Sequence, residues 1–490
     1  MTDTKTADLG TTAAHAVIWN YASFASGKAL VLVTMAILAR LLTPADFGMV
    51  GFATLVLAHL SVLTNLGLGA AVIQRKGDIE AEAQTVFIIN IVLGAAFTVI
   101  TILIAPLVAA FFAEPLVTPI LRVLAFSFVL ESLGSMHQVL LRKNLAFRRK
   151  LIPDVGRAIV QGTVAITTAA AGFGVWALVW GQLAGVVTNV ALSWAVIPWR
   201  PTYRFQRRLV RPLARFGVPL VITDIEYAIW SNLDYVIVGR LLGDSALGIY
   251  TLAYRLPELL VHSVWRVLAN AIFPVFSRIQ DDAEALRRGF LATIRYTQIA
   301  IVPLCLGIFL TAEPTVDIMF GDQWGAVVPV MRIMALFALV GSIGVNIGDV
   351  YKAIGRPDVL AKLSVMELGI LFPALLYGAQ YGIVGVAWAH AAVATVDTVV
   401  RLIVARFMIG ISLRDVARQL LPSLRAGLWL VVAVVPALRL TANLGSVATL
   451  LIAATVGASA YFAALWRQDE GSVRRILGWL GIERLAGAVK

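Results

Sequence analysis

Long apolar stretches run through this sequence, and they restrict the fold to helices that cross a membrane. Each stretch extends for about 20 residues, the length of a membrane-spanning helix, whereas outer-membrane strands need only about 10 alternating residues. Hydrophobic residues make up 60% of the chain and charged residues 14%, well below the roughly 25% of a soluble domain. The sequence therefore predicts an all-α polytopic membrane protein and excludes a β-barrel.

Fourteen spans are predicted from apolar windows bounded by Pro, Gly and charged residues. Six lie in the first half, near residues 13–39, 48–70, 84–111, 116–138, 153–173 and 175–198. Six more lie near residues 216–240, 247–272, 289–312, 327–350, 362–380 and 383–408. Two further spans, near residues 424–440 and 446–466, have no counterpart in the first half.

An internal repeat relates the two sets of six spans. Residues 40–48 and 240–248 both begin with Arg-Leu-Leu and end in Gly, and each joins two apolar spans. Two further echoes, 121–134 with 331–344 and 174–180 with 382–388, keep the same order at offsets near two hundred. Because each half has an even number of spans, the halves share one orientation and form two pseudo-symmetric six-helix lobes. In such proteins the substrate path lies between the repeats.

These boundaries divide the chain into six parts. They are a tail over residues 1–12, a first lobe over 13–198, a basic amphipathic linker over 199–215, a second lobe over 216–408, two C-terminal spans within 424–466 and an amphipathic tail over 467–490. Lys and Arg gather in alternate loops, which places both termini in the cytoplasm. The linker and the C-terminal tail are expected to lie against anionic headgroups, or alternatively to be solvated connectors. The first apolar segment is too long for a cleaved signal peptide.

Several classes of function are excluded by what the loops contain. The net charge of +12 comes from basic residues in short loops, which is typical of membrane topology rather than of nucleic-acid binding. No Gly-rich phosphate loop is present, so no ATP-driven motor is expected. The histidines are too scattered for a zinc site, and no cofactor is predicted. Cys305 is the only cysteine, so no intramolecular disulfide can form.

One predicted span carries a stripe of charged side chains. Arg255, Glu258, His262 and Arg266 are spaced at i, i+3, i+7 and i+11, which places them within one narrow arc of a helix. Charges in a span are costly and default to functional hypotheses. We expect the stripe to face a hydrated cavity, where the arginines bind an anion and Glu258 or His262 takes up a proton. The alternative is an internal ladder of charges that neutralises itself.

The preceding span carries a second polar stripe. Asp224, Tyr227, Ser231 and Asp234 recur at i, i+3, i+7 and i+10, with Glu226 on another face. The carboxylates are candidates for an ion-coupling site or, equally, for static pairs with the arginine stripe.

A third group of polar residues repeats across the halves. Gln182, Asn189 and Ser193 correspond, at the offset of the third echo, to His390, Asp397 and Arg401. Asp397 and Arg401 also have the i, i+4 spacing of a plain intrahelical ion pair, so this interpretation stays open beside a functional one.

Lys28 is the only charge in the middle of the first span. A lone ammonium among small residues is a candidate to bind a phosphate, although a snorkelling or paired lysine is the alternative. Glu131, His137 and His59 are weaker signals, and His59 is interpreted as a packing residue.

The sequence resembles a known family at several short motifs. They are residues 38–48, 67–75, 173–178, 234–240, 247–250 and 355–357. Together they resemble the polysaccharide-exporter branch of the multidrug, oligosaccharidyl-lipid and polysaccharide superfamily, in particular the Wzx-type oligosaccharide flippases, including colanic-acid-type exporters. The resemblance implies a V-shaped pair of six-helix lobes with two additional helices that works by alternating access. It also implies a substrate in which a sugar chain is linked through pyrophosphate to a polyprenyl lipid. The family has no universal catalytic motif, so no residue is assigned by match.

The sequence therefore predicts a transporter and not an enzyme. It would be a flippase for lipid-linked oligosaccharides in the bacterial inner membrane, serving envelope or exopolysaccharide synthesis. The candidate pyrophosphate ligands are Lys28, Arg255, Arg266 and Arg401; the candidate sugar ligands are Gln182, Asn189, Ser193 and His390; the candidate coupling residues are Asp224, Glu258, His262 and Asp397. Expected partners are the lipid-linked substrate, membrane lipids and, as candidates, a polymerase and glycosyltransferases.

Two rival functions are kept. A cation-coupled multidrug exporter of the same superfamily would favour an acidic, aromatic-lined pocket over an arginine stripe. A membrane-embedded glycosyltransferase or polymerase would need a sizeable loop or an acidic metal-binding pair, and the sequence shows neither.

Overall fold

The structure, a computed structural model, is all-α wherever it describes the chain. It describes residues 30–75, 78–202 and 204–479, and at residues 65, 220, 223, 262–274, 477 and 479 it describes the backbone alone. These ranges contain eighteen α-helices, two short 3-10 turns and no β-strand. The contacts between helices divide the chain into two compact units, Met1–Gly248 and Ile249–Lys490.

Nine of the described helices lie wholly within the first unit. They are α1 (Leu30–Leu41), α2 (Pro44–Asn65), α3 (Leu68–Gln74), α4 (Ile79–Phe112), α5 (Val117–Leu124), α6 (Phe126–Lys143), α7 (Phe147–Ala170), α8 (Val175–Val196) and α9 (Arg207–Leu242). The next helix, α10 (Asp244–Arg278), begins in the first unit and continues in the second.

The second unit holds the remaining helices. They are α11 (Ala283–Phe320), α12 (Val327–Gly344), α13 (Ile347–Ala353), α14 (Pro357–Ala379), α15 (Gly382–Ile409), α16 (Leu413–Leu440), α17 (Ser446–Gln468) and α18 (Glu470–Trp479). The 3-10 turns Asp322–Trp324 and Ala442–Leu444 follow α11 and α16.

The all-α polytopic fold predicted from the apolar spans is confirmed. Each predicted span from residue 48 onward coincides with one helix or with two helices in tandem. Among the described residues, nine helices are long and apolar enough to cross a membrane when α5–α6 and α12–α13 are counted as single spans. Helix ends differ from the predicted ones where a helix continues past its apolar part. For example, α16 begins at Leu413, where Ser412 and Asp415 form a capping box.

The predicted surface linker is only partly helical. The backbone N–H of Thr202 donates to Gln84 Oε1 at 2.8 Å, and the indole N–H of Trp199 donates to Glu80 Oε2 at 3.0 Å. These bonds attach the segment before α9 to the start of α4. From Arg207 the chain is helical, and Leu213 is fully buried. The first helix of the second repeat thus packs in the first unit.

The repeated Arg-Leu-Leu segments end at two helix starts that touch. Helices α2 and α10 begin at Pro44 and Asp244, two hundred residues apart. A Cβ added to Gly48 would lie 1.8 Å from the carbonyl oxygen of Asp244, and one added to Gly248 would lie 2.0 Å from that of Pro44. Since Gly48 and Gly248 are equivalent in the repeat, both glycines allow the same backbone-to-backbone approach.

The first of these helix starts carries a capping box. Thr43 Oγ1 accepts from the backbone N–H of Asp46 at 3.3 Å, and the backbone N–H of Thr43 donates to Asp46 Oδ2 at 2.9 Å. This reciprocal arrangement satisfies two of the N–H groups that a helix N-terminus leaves without partners.

In the second unit, α16 and α17 pack onto α11 through a cluster that includes Val302, Leu430 and Tyr461. The Tyr461 hydroxyl donates to the carbonyl oxygen of Ile299 at 3.0 Å, so the buried polar group is satisfied. This contact fixes the two C-terminal helices within the unit.

Candidate substrate and ion-coupling sites

Three of the predicted site residues cannot be placed by their side chains. Lys28 lies outside the described residues, and His262 and Arg266 are described only as backbone positions of α10. The remaining nine predicted residues fall into four places, two in each unit.

The first place is a cavity between α2 and α9 of the first unit, with a volume of about 420 Å³. Asp224, Tyr227, Ser231 and Asn232 line it from α9, and Ser61 lines it from α2. The helical spacing of Asp224, Tyr227 and Ser231 therefore does bring them to one surface. Only one of these side chains is ionisable near neutral pH, so the cavity presents a single carboxylate among hydroxyl and amide groups.

The fourth member of that stripe points elsewhere. Asp234 is 2% exposed and does not line the cavity. Its Oδ1 accepts from the backbone N–H of Tyr235 at 3.0 Å. The stripe therefore ends at Ser231, and Asp234 belongs to the packed interior of the unit.

The second place is the first turns of the charged stripe on α10. Arg255 Nη1 lies 3.7 Å from Glu258 Oε2, and the two side chains are 32% and 44% exposed. This contact is longer than a hydrogen bond. Arg255 Nε is buried and has no hydrogen-bond partner, so the intrahelical pair leaves part of the guanidinium unsatisfied.

Aromatic side chains lie next to this stripe. The rings of Tyr254 and Phe337 are 6.2 Å apart between centroids, and those of Phe337 and His390 are 4.4 Å apart. His390 is 7% exposed. The aromatic row thus joins α10, α12 and α15 within the second unit.

The third place is a buried charge cluster between α14 and α15. Arg401 Nε lies 2.5 Å from Asp397 Oδ2, and Arg401 Nη2 lies 3.0 Å from Glu367 Oε2. All three side chains are 12% to 13% exposed. Asp397 Oδ1 is buried without a hydrogen-bond partner. One guanidinium thus pairs with two carboxylates.

This cluster changes the assignment of Arg401. Its charge is already neutralised by two carboxylates, so a pyrophosphate would have to compete with both. The intrahelical pair of Arg401 with Asp397 is present. Arg401 has a second carboxylate partner, Glu367 on α14. Sequence reasoning missed Glu367, although it is the only charged residue between Lys362 and the end of α14, which is the kind of isolated charge that marks a site.

The fourth place is the amide network of α6, α7 and α8. The side-chain amide of Gln138 donates to Ser193 Oγ at 2.8 Å and to Asn189 Oδ1 at 3.3 Å. Asn189 in turn donates to the carbonyl oxygen of Pro153 at 3.1 Å. Ser193 is fully buried, whereas Gln182 is half-buried. In this conformation Asn189 and Ser193 hold helices together instead of facing a sugar.

The weaker candidates have structural contacts. His137 is fully buried and stacks on Trp194 with ring centroids 4.6 Å apart. Glu131 lies 3.5 Å from Arg157, and His59 Nδ1 lies 2.7 Å from the carbonyl oxygen of Leu55. Among the described residues no group of three His, Cys, Asp or Glu side chains is placed to hold a metal ion.

Comparison with known proteins places this arrangement in context. The model of a family described as polysaccharide biosynthesis protein matches residues 37–329. The chain is 28% identical to the lipopolysaccharide biosynthesis protein WzxC of Escherichia coli (strain K12), over 75% of each chain. It is 24% identical to the succinoglycan biosynthesis transport protein ExoT of Rhizobium meliloti (strain 1021), over 74% of each chain.

Solved structures show the same fold at low sequence identity. The lipid II flippase MurJ in an inward closed conformation superposes with a TM-score of 0.73 at 14% identity, covering 94% of this chain and 100% of that chain. An inward-facing multidrug resistance MATE family transporter of the MOP superfamily superposes with a TM-score of 0.63 at 17% identity, covering 78% of this chain and 94% of that chain. The chain thus has the polytopic helical fold of these transporters.

Proposed function

We propose a transport function for this chain, which belongs to the polysaccharide biosynthesis protein family. It acts as a flippase that moves polyprenyl-pyrophosphate-linked oligosaccharides across the cytoplasmic membrane by alternating access, for envelope or exopolysaccharide synthesis. The observation that carries the proposal is the family match over residues 37–329, together with the similarity to WzxC over three quarters of both chains. The relatives are named for polysaccharide biosynthesis and transport, which agrees with a transporter rather than an enzyme.

The chemistry of such a substrate suits charges and polar groups inside the spans. A sugar headgroup with a diphosphate cannot cross hydrocarbon without partners for its hydroxyls and charges. The polyprenyl tail can stay in the lipid while the headgroup moves through a polar path. The polar side chains of the cavity beside α9 and the charged stripe on α10 supply such partners at positions where an insertion cost would otherwise select apolar residues.

We assign the diphosphate to Arg255. Its Nε is buried without a partner, and its contact with Glu258 is loose at 3.7 Å. A guanidinium with unsatisfied donors is suited to bidentate binding of phosphate oxygens. Lys28 and Arg266 stay in this proposal on the strength of the sequence alone. Arg401 leaves it, because Asp397 and Glu367 already neutralise it.

We assign ion coupling to Asp397 and Asp224. Asp397 Oδ1 is buried without a hydrogen-bond partner, so this carboxylate has an acceptor position left for a proton or a cation. Asp224 is the single carboxylate of the cavity on α9. Glu258, on the stripe of α10, and His262 remain candidates from the sequence. Gln182 and His390 remain the candidates for sugar hydroxyls.

The proposal is tested with the purified full chain in vesicles that contain a polyprenyl-diphosphate-linked oligosaccharide. A lectin added outside reports the sugar that reaches the outer leaflet over time. We expect the exposed fraction to rise in vesicles with the protein and to stay constant in vesicles without it. Transport of cationic drugs without transport of the lipid-linked sugar would favour the multidrug exporter instead. A new glycosidic bond in the product would favour the polymerase or glycosyltransferase.

A pair of neighbouring carboxylates tests the cavity in the same assay. Asp224→Asn removes the only carboxylate that lines the cavity, whereas Glu226→Gln removes an exposed carboxylate two residues away that does not line it. Losing one charge-assisted contact costs about 1.5 to 3 kcal/mol, so we expect the initial rate to fall about tenfold or more for Asp224→Asn. Glu226→Gln should keep the wild-type rate. Equal rates for both variants would remove Asp224 from the mechanism.

A further inference from the structure

A cationic crevice lies in the second unit, at the ends of α11, α16 and α18 and away from the charge clusters described above. Its volume is about 250 Å³. Arg288 and Arg295 line it from α11, Arg475 lines it from α18, and Asp469 closes its floor. With three arginines and one aspartate, the lining carries a net positive charge.

One ion pair builds the crevice. Arg295 Nη2 lies 2.5 Å from Asp469 Oδ2, and the Asp469 side chain is 7% exposed. The other carboxylate oxygen, Oδ1, accepts from the backbone N–H of Ser472 at 3.2 Å. Asp469 thus caps α18 and fixes that helix to α11. Both of its oxygens are used, so this carboxylate has little left to offer to the other two arginines.

The other two arginines keep most of their binding capacity. Arg475 Nη1 donates to the hydroxyl of Tyr296 at 3.3 Å, which is a neutral partner. Arg288 is 66% exposed and is paired at 3.3 Å with Glu284, which is itself 59% exposed. An exposed pair of this kind is weak and can be exchanged for a stronger anion.

The lining also contains apolar side chains. Leu291 and Ala292 lie between Arg288 and Arg295 along α11. The helix that carries them is long and apolar enough to cross a membrane, and the positive-inside pattern assigns this end of it to the cytoplasmic side. A ligand that fits must therefore combine an anionic group with an apolar part at the level of the headgroups.

We propose that this crevice binds the phosphate of an anionic phospholipid from the cytoplasmic leaflet. Arg288 and Arg475 hold the phosphate oxygens by charge-assisted hydrogen bonds, and the acyl chains run past Leu291. The inference does not depend on the proposed transport function, because the site lies apart from the residues assigned to transport.

The test measures lipid retention by the purified full chain. The protein is exchanged into detergent with phosphatidylglycerol or phosphatidylcholine, and bound lipids are counted by native mass spectrometry. We expect the wild type to retain phosphatidylglycerol in preference to phosphatidylcholine. Each arginine near an anionic headgroup contributes about a factor of five, so Arg288→Gln with Arg475→Gln should weaken phosphatidylglycerol binding roughly 25-fold. The pair Arg295–Asp469 stays intact in this variant.

A neighbouring arginine provides the matched control. Arg474 lies on the same helix, is paired with Glu470 at 2.5 Å and does not line the crevice. Arg474→Gln should therefore retain phosphatidylglycerol like the wild type. Should the double variant fold poorly, Arg475→Gln alone is expected to weaken binding about fivefold.

Three outcomes would overturn the proposal. The first is equal retention of both lipids by the wild type, and the second is the same loss in Arg474→Gln as in the crevice variants. The third is displacement of phosphatidylglycerol by an equal concentration of inorganic phosphate, which would show that a free anion is the ligand. No transport substrate is present in these measurements, so failure here leaves the transport proposal unaffected.

Discussion

At the scale of single residues, Glu367, Asp397 and Arg401 form a cluster of largely buried charged side chains in the second unit. Burying a charge in a low-dielectric environment is costly unless it is paired and hydrogen-bonded. Arg401 meets this condition through two contacts of 2.5 and 3.0 Å. Asp397 meets it through the same arginine, which is the partner of its Oδ2.

Removing the arginine should therefore destabilise the protein. Breaking a buried ion pair by deleting one partner costs about 3 to 5 kcal/mol. We expect Arg401→Gln to lower the thermal unfolding midpoint measured in detergent, and the double change with Asp397→Asn to restore part of the loss. Arg406→Gln is the control, because Arg406 is exposed in the last turn of the same helix. An unfolding midpoint of Arg401→Gln equal to that of the wild type would contradict the structural role.

Residue spacing predicted the polar face of α9 that lines the cavity, but not the charge cluster between α14 and α15. Asp224, Tyr227 and Ser231 line one cavity because residues at i, i+3 and i+7 share a helix face whatever surrounds the helix. Glu367 and Arg401 are 34 positions apart on different helices, so no periodicity relates them. The sequence shows that both residues are charged, but only the packing of α14 on α15 shows that Glu367 and Arg401 are partners.

At the scale of elements, the contact between α2 and α10 depends on two glycines. Their helices begin at equivalent positions of the repeat and approach backbone to backbone at Gly48 and Gly248. A side chain at either position would overlap a carbonyl group, which cannot move aside as a flexible side chain can. The repeated motif is therefore a packing motif as well as a helix start.

Alanine at these glycines should loosen the contact. Overpacking a close contact typically costs about 1 to 3 kcal/mol, so Gly48→Ala and Gly248→Ala are expected to lower the thermal unfolding midpoint. Gly307→Ala is the control, since no atom lies within 4 Å of the added Cβ on α11. Alanine is favoured over glycine in a helix by about 1 kcal/mol, so the control should be as stable as the wild type or slightly more stable. If Gly48→Ala behaves like Gly307→Ala, the helix starts are not in close contact.

Helix ends were the least predictable feature of the elements. Apolar windows stop at the first charges, yet α9 and α16 start within basic segments at Arg207 and Leu413. Backbone hydrogen bonds continue through amphipathic turns, and one face of such a turn can still be buried, as Leu213 is. The spacing of Ser412 and Asp415 is that of a capping box, so the sequence could have predicted the start of α16.

At the scale of the whole molecule, composition and periodicity were enough to predict a multi-pass helical membrane protein. They did not predict how the helices group. Sequence symmetry assigns α9 to the second lobe, and that division stays a prediction, whereas contacts place α9 with the first unit. The difference arises because the apolar helices that α9 could pack against have similar hydropathy, whereas packing depends on the shape of the contacting surfaces. At Gly67, for instance, an added Cβ would lie 2.5 Å from the carbonyl oxygen of Gly217.

The orientation of the whole chain can be tested with reporter fusions. The positive-inside pattern predicts that both termini and the turn after α10 face the cytoplasm, and that the turns after α11 and α16 face outward. A green fluorescent protein fused after residue 280 should fluoresce, while alkaline phosphatase fused after residue 322 or 443 should be active. The reverse pattern of activities would invert the topology and move the crevice of Arg288 and Arg475 to the outer face.

The position of α9 bears on how such a chain could arise. If a gene for six spans was duplicated, its ancestor was a half-length protein. The contacts that α9 now makes with α2, α3 and α4 would then have joined two separate polypeptides. The first repeat expressed alone today would lack the helix on which α2, α3 and α4 pack.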